Sequence, residues 1–153
     1  MYYAAGSGQI ESIKCLAELG SNVDAPCKDG MTPLFAAARM GHIGSIECLV
    51  SLKANVHATN DYGMTPIFSA VETGQVESMK CLVKLGANVN AEAGGGMPPL
   101  FIAAMTGNIV SMECLKELGA KLDIKAGGKT AADAAAMTGQ TEATEWLRRN
   151  GAR

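Results

Sequence analysis

The six residues GMTPLF at Gly30–Phe35 recur as GMTPIF at Gly63–Phe68 and as GMPPLF at Gly96–Phe101. Both intervals are 33 residues. A fixed period of this length is typical of a chain built from stacked copies of one small unit. One such unit cannot bury its apolar residues alone, so neighbouring units must pack into a continuous core.

Each repeat predicts two helices. In one unit, Thr32 and Pro33 form a helix-start signal, because a Thr hydroxyl can cap free N–H groups and Pro fits the first helical position. Gly41 predicts the end of this helix, and apolar residues along one side predict a second helix over 43–52. In a later unit Pro98 replaces the capping Thr, so we expect that helix start to be the weakest.

The elements GMTPLF…AA…G and LGANVNA recur over essentially the whole chain, and at this period they resemble the ankyrin repeat family. The resemblance implies an all-α ankyrin solenoid of stacked helix-turn-helix units with projecting β-turns or hairpins. We expect one domain over 1–153, with units near 1–26, 27–59, 60–92, 93–125 and 126–153. The family's usual His after TPL is replaced by Phe35, Phe68 and Phe101, which we interpret as aromatic packing.

The two ends of the chain differ from the internal units. In the last unit, Thr141 and Thr144 replace Ile109 and Met112 of the unit before, so we expect a C-terminal cap with polar outer positions. At the front, Met1 aligns inside the first helix, and the unit lacks its turn and Thr-Pro start. Two interpretations stay open: a natural start with a shortened cap, or a fragment of a longer array.

Five cysteines raise the question of disulfides. Cys15, Cys48, Cys81 and Cys114 are 33 residues apart, so they occupy equivalent positions in stacked units. Such positions are separated by about 8–10 Å, whereas a disulfide requires Cα atoms closer than about 7 Å. We therefore expect a column of small buried thiols, with zinc ligation as the alternative. Cys27 lies at a turn, where we expect an exposed thiol.

The sequence gives no support for catalysis. Its two histidines, His42 and His57, stand at surface positions of the repeat. The glycine-rich segments 93–97 and 125–130 lack the glycine and lysine spacing of a phosphate-binding loop. We therefore expect no enzyme activity, no cofactor and no metal site.

Composition limits the class of partner. The chain is 48% hydrophobic and 18% charged, which excludes a self-repelling disordered polymer. A formal net charge of -2 and the lack of a Lys/Arg run give no support for nucleic acid as the partner. No stretch reads as a secretory signal or as a membrane span of about 20 apolar residues. We expect a cytoplasmic or nuclear monomer that binds a protein.

Ankyrin arrays bind proteins through the turn tips and the exposed side of the first helices, so the resemblance implies a partner-binding groove. Tyr62 is the one aromatic residue at a turn tip and the best hot-spot candidate. Six methionines either give the groove an adaptable apolar surface or fill gaps under the neighbouring turn, and the glycines at 94–96 either clear space for a partner or are flexible. The predicted partner-binding residues are Lys28, Asp29, Met31, Arg39, Met40, Asp61, Tyr62, Met64, Glu72, Thr73, Met97, Met105, Thr106, Lys129 and Met137.

Three functions are consistent with this pattern. The first is a non-catalytic interaction module that docks a partner protein in the groove. The second is a regulatory or targeting fragment of a larger multidomain enzyme or channel. The third is an engineered ankyrin binding scaffold, against which the irregular substitutions between repeats argue.

Overall fold

The computed structural model describes residues 1–152, and these form five antiparallel helix pairs in sequence order. First helices pack against first helices, and second helices against second helices, along the whole series. The predicted all-α solenoid is confirmed. The helices are α1 (Tyr2–Gly6), α2 (Ile10–Glu18), α3 (Pro33–Met40), α4 (Ile43–Ser51), α5 (Pro66–Glu72), α6 (Val76–Lys84), α7 (Pro99–Met105), α8 (Ile109–Glu117), α9 (Ala131–Met137) and α10 (Thr141–Arg149).

The turns between pairs share one backbone arrangement. In three of these turns the N–H of the residue four positions before the turn methionine donates to the methionine carbonyl, as in the bond from Asn60 N–H to the Met64 carbonyl at 2.9 Å. The first of these three turns contains a short 3-10 helix, Lys28–Gly30. The fourth connection, between α8 and α9, is instead a small antiparallel hairpin of β1 (Lys125–Ala126) and β2 (Lys129–Thr130). The turns are also joined to each other, since Asp61 N–H donates to the Asp29 carbonyl at 3.0 Å.

Glycine closes the first helices as the sequence predicts. Gly41 adopts the left-handed conformation at φ 77°. A Cβ atom on Gly41 would also lie 2.5 Å from Oε1 of Gln75 in the next unit. The position favours glycine because of its left-handed backbone conformation, whereas the contact is with the flexible end of the Gln75 side chain, which can move away.

The core runs continuously through the stack. Small first-helix residues such as Ala37 and Ala70 are fully buried, which lets adjacent first helices approach closely. Phe35, Phe68 and Phe101 are at most 3% exposed, so the interpretation of these residues as aromatic packing is confirmed. The stack therefore gains apolar burial from the residue that replaces the family's usual His.

The predicted Thr caps are wrong for two helices. The side chains of Thr32 and Thr65 make no capping bond, and the Thr32 hydroxyl is buried without a hydrogen-bond partner in the described chain. Pro98 therefore loses no cap bond relative to Thr32 and Thr65, and this removes the reason for expecting a weaker helix start there than in those two units. A side-chain cap does form at Thr130, which exchanges hydrogen bonds with Asp133 in a capping box.

The predicted column of buried cysteines is correct only in part. Cys81 and Cys114 are buried, Cys48 is half-buried, and Cys15 is exposed like Cys27. Cys114 lies against the preceding second helix, since its Sγ lies 3.9 Å from the Val76 carbonyl of α6. Among the second helices, α4 is the only one that α2 contacts in the described chain. The cysteine of α2, Cys15, therefore stays exposed to solvent. All five thiols are free.

The last unit also departs from expectation at one position. Thr141 is exposed, as predicted for a polar outer position. Thr144 is 6% exposed, and its hydroxyl donates to the Gln140 carbonyl at 2.8 Å. Thr144 corresponds to Met112, which is buried inside its own helix pair, so this register faces the core and not the end of the stack.

Within residues 1–152, no helix has the length and apolar character needed to cross a membrane. The same residues contain no cluster of three or more His, Cys, Asp or Glu side chains suited to a metal ion.

Candidate interaction surface

The turn that carries Tyr62 is held by a buried asparagine. The Asn60 side chain is 7% exposed, and its Oδ1 accepts the N–H of Tyr62 at 3.0 Å and the N–H of Met64 at 2.9 Å. Asn is well suited to this role because its side chain can bond to the backbone two residues on. The result is a rigid turn tip that presents Tyr62 at 61% exposure.

Apolar exposure is concentrated on one side of the molecule. We call the side formed by the turns and the first helices the groove surface. Seven large apolar side chains are exposed in the described chain, and five of them lie on the groove surface; the other two are Leu19 and Val110. The five are Tyr3, Met40, Tyr62, Met105 and Met137.

The six predicted methionines divide into two groups according to their place in the repeat. Those near the ends of first helices are exposed, whereas those in the turns are half-buried, so the six do not share one environment. The exposed three are Met40, Met105 and Met137, and the half-buried three are Met31, Met64 and Met97.

Three pockets lie along the groove surface and bring predicted residues together. The front pocket combines Arg39 and Met40 of α3 with Tyr2 and Tyr3 of α1. Burial raises the pKa of Tyr2, and the adjacent Cys27 thiol raises it further, so this phenol keeps its proton at neutral pH.

The middle pocket is formed by two consecutive turns. Asp61, Tyr62 and Met64 of one turn face Gly94 and Met97 of the next. The Gly94 N–H donates to the Tyr62 carbonyl at 3.1 Å, which fixes the spacing of the two turns. The back pocket lies between α7 and α9 and contains Met97, Met105, Lys129 and Met137 among its lining residues.

The remaining predicted residues do not line these three pockets. Two of them have hydroxyls already engaged within the molecule, since Thr73 Oγ1 lies 2.9 Å from the Arg39 carbonyl and Thr106 Oγ1 lies 2.8 Å from the Ile102 carbonyl. All except Asp29 and Met31, which are half-buried, are exposed. The six residues are Lys28, Asp29, Met31, Glu72, Thr73 and Thr106.

Sequence reasoning missed several contributors to this surface, among them Tyr2, Tyr3, Phe101 and Asn60. Tyr2 and Tyr3 stand where internal units have a buried Phe and Ala, so alignment alone suggested a helix interior. Phe101 is almost fully buried and yet lines the back pocket. Asn60 could have been found, because Asn at the start of an Asn-Asp-Tyr-Gly turn is a known backbone-bonding signal.

Five stacked helix pairs with hydrogen-bonded turns on one side define a helical-repeat solenoid, a class in which each unit contacts only its neighbours. A family model for ankyrin repeats in three copies matches residues 1–93. The chain belongs to the ankyrin repeat family. A search of curated proteins finds no match to the chain. The fourth and fifth helix pairs continue the same architecture beyond the matched residues.

Proposed function

We propose that the chain is a non-catalytic interaction module that docks a partner protein on the groove surface. Ankyrin repeats generally serve as protein–protein interaction modules. The observation that carries the proposal is the clustering of exposed apolar side chains, five of seven, on this one side. Four of the five fall in pairs that share a pocket, Tyr3 with Met40 and Met105 with Met137, and grouped apolar exposure of this kind is typical of an interaction site.

The charges of the groove surface favour a protein partner over nucleic acid. Lys28 and Arg39 lie towards the front, Asp61 and Glu72 occupy the middle, and Lys129 lies at the back, all of them exposed. A nucleic-acid site needs a continuous basic stripe to match the phosphate backbone. Alternating signs along a groove instead suit the mixed charges of a protein surface, where they set register and orientation.

Tyr62 is the proposed centre of the contact. It projects from a turn that is fixed by Asn60, and the middle pocket lies beside it. A rigid tyrosine loses little conformational entropy on binding while burying a large ring. Truncation of such a residue typically weakens binding by about 2 kcal/mol or more, which is about thirtyfold.

The test is affinity capture with two matched sets of substitutions. Tyr62→Ala combined with Met40→Ala and Met137→Ala removes exposed apolar side chains from the groove surface. Leu19→Ala combined with Val110→Ala removes exposed apolar side chains elsewhere and serves as the control. Circular dichroism should show unchanged helix content for both. We expect proteins that are recovered by the wild type and by the control and are lost with the groove variant. Equal loss with both variants, or none with either, would refute the proposal.

A further inference from the structure

The back pocket differs from the other two in being almost entirely apolar. It has a volume of about 340 Å³ and lies between α7 and α9, under the turn and the β1–β2 hairpin. Met97, Phe101, Met105 and Met137 supply its large side chains. An engineered cavity of about 150 Å³ with similar lining takes benzene. The back pocket therefore has room for the side chain of a Leu, Met or Phe residue.

The pocket exists because small residues stand where space is needed. Gly95, Ala126 and Gly127 form the side made by the turn and the hairpin, and a Cβ atom on either glycine would meet nothing within 4 Å. On α9, Ala134 occupies the register that Ile102 holds in the preceding unit. The last two units thus leave open a volume that a single larger side chain at residue 134 would begin to fill.

Lys129 is the only charged residue that lines this pocket. It stands at the turn position that methionine holds in the three preceding turns. Its Nζ lies 3.0 Å from Sδ of Met137, which places the ammonium group beside the apolar lining. Among residues 1–152, no carboxylate forms an ion pair with it. The charge is therefore available to a ligand.

We propose that the back pocket takes a bulky apolar side chain of the partner polypeptide, and that Lys129 binds the side-chain carboxylate of an Asp or Glu next to it. This inference rests on the proposed function and adds the chemistry of the bound segment. An apolar residue adjacent to an acidic residue matches both features of the site, the apolar volume and the single cation at its side. Apolar burial supplies the affinity, and the charge selects the register.

The experiment uses a library of random dodecapeptides displayed with a free N-terminus and a fused C-terminus, so that only side chains offer carboxylates. The bait is the full chain. We expect enriched peptides with Leu, Ile, Met or Phe within two positions of Asp or Glu. A synthetic peptide with the enriched sequence, amidated at its C-terminus, is then titrated by fluorescence anisotropy, together with its Glu→Gln analogue.

Three variants locate the contact. Ala134→Ile fills the pocket with a residue that the fold already accepts at position 102, and we expect at least tenfold weaker binding. Lys129→Gln removes the charge, and we expect about fivefold weaker binding of the acidic peptide, the upper range for an exposed ion pair. Lys129→Gln and the wild type should bind the Glu→Gln peptide with equal affinity. Loss of the charge effect when either partner is neutral is the energetic coupling expected of a direct contact. Lys125→Gln, on the same hairpin but outside the pocket lining, is the matched control and should change nothing.

Several results would overturn the inference. These are enrichment without acidic residues, indifference of the peptide to Ala134→Ile, equal effects of Lys125→Gln and Lys129→Gln, or no enrichment at all. The first three leave the proposed function intact, because peptides would still bind elsewhere. The proposed function is refuted by a negative capture experiment with the groove variant, whatever the outcome of the peptide experiment.

Discussion

Replacing Asn60 with Ala should loosen the turn that presents Tyr62. Asn60 Oδ1 accepts two backbone N–H groups, at 3.0 and 2.9 Å, and the residue is 7% exposed. Each intramolecular hydrogen bond contributes about 0.5–1.5 kcal/mol net. Two lost bonds give about 1–3 kcal/mol, and water can reach the exposed end of the turn, so we expect a loss of about 1–2 kcal/mol in the free energy of unfolding.

The variant should still fold, because the next unit carries Ala93 at the same register and its turn is closed by the backbone alone, from Ala93 N–H to the Met97 carbonyl. Urea denaturation followed by circular dichroism measures the change in the free energy of unfolding. Amide hydrogen exchange should show faster exchange at Tyr62 and Met64. Two controls bracket the effect.

The first control is Asn60→Asp, which keeps the Oδ1 acceptor for both N–H groups and should retain most of the stability. The second is Asn88→Ala at an exposed residue, which removes a single bond from the Asn90 N–H and should cost about 0.5–1 kcal/mol. A loss below about 0.5 kcal/mol for Asn60→Ala, or unchanged exchange at Tyr62, would show that the side chain does not hold the turn.

Three further predictions follow from other parts of the molecule. Lys53 has φ 71° where the other units have glycine. Lys53→Gly should relieve a backbone strain of about 1–2 kcal/mol, while the greater chain entropy of glycine in the unfolded state offsets about 0.5–1 kcal/mol of this gain. The urea midpoint should therefore rise, and a lower midpoint would contradict this. Burial raises the pKa of the Cys81 and Cys114 thiols, so both should react with a disulfide reagent only as the chain unfolds. The exposed thiols should react at once. Rapid reaction of all five thiols would refute the burial pattern. Hydrogen bonds from Thr130 lower the pKa of the Asp133 carboxyl, so the stability that Asp133 contributes is present above the ordinary carboxyl pKa and is lost as the pH falls through the lowered pKa. The Asp133→Asn variant should therefore be less stable than the wild type at pH 7 and should lose less stability on acidification. Urea midpoints of both proteins at pH 7 and pH 3 measure this.

Much of the fold could be predicted because each helix boundary is encoded locally. The Thr-Pro and Gly signals repeat at fixed spacing, and the helices begin at Pro33 and Pro66 as predicted. The error for the cysteines has a physical cause. Register in a repeat identifies equivalent residues but does not state what covers them, so Cys15 and Cys81 received the same expectation and have different surroundings.

The candidate site was predictable in outline only. The family pattern indicates which side of each unit is available, and Tyr62 is exposed as expected. Alignment could not indicate that Met40 and Met64 differ in exposure, because this depends on packing between adjacent units. It also could not indicate the back pocket, which is formed by residues from α7, α9 and two separate turns.

By itself, the sequence determined the repeating unit and the positions of the helices, because helix propensity, turn chemistry and apolar period act over a few residues. The tertiary structure alone decided which thiols are buried, which methionines are exposed and where space remains between units. These properties depend on the distance between side chains that are about one repeat apart in sequence, and packing sets that distance.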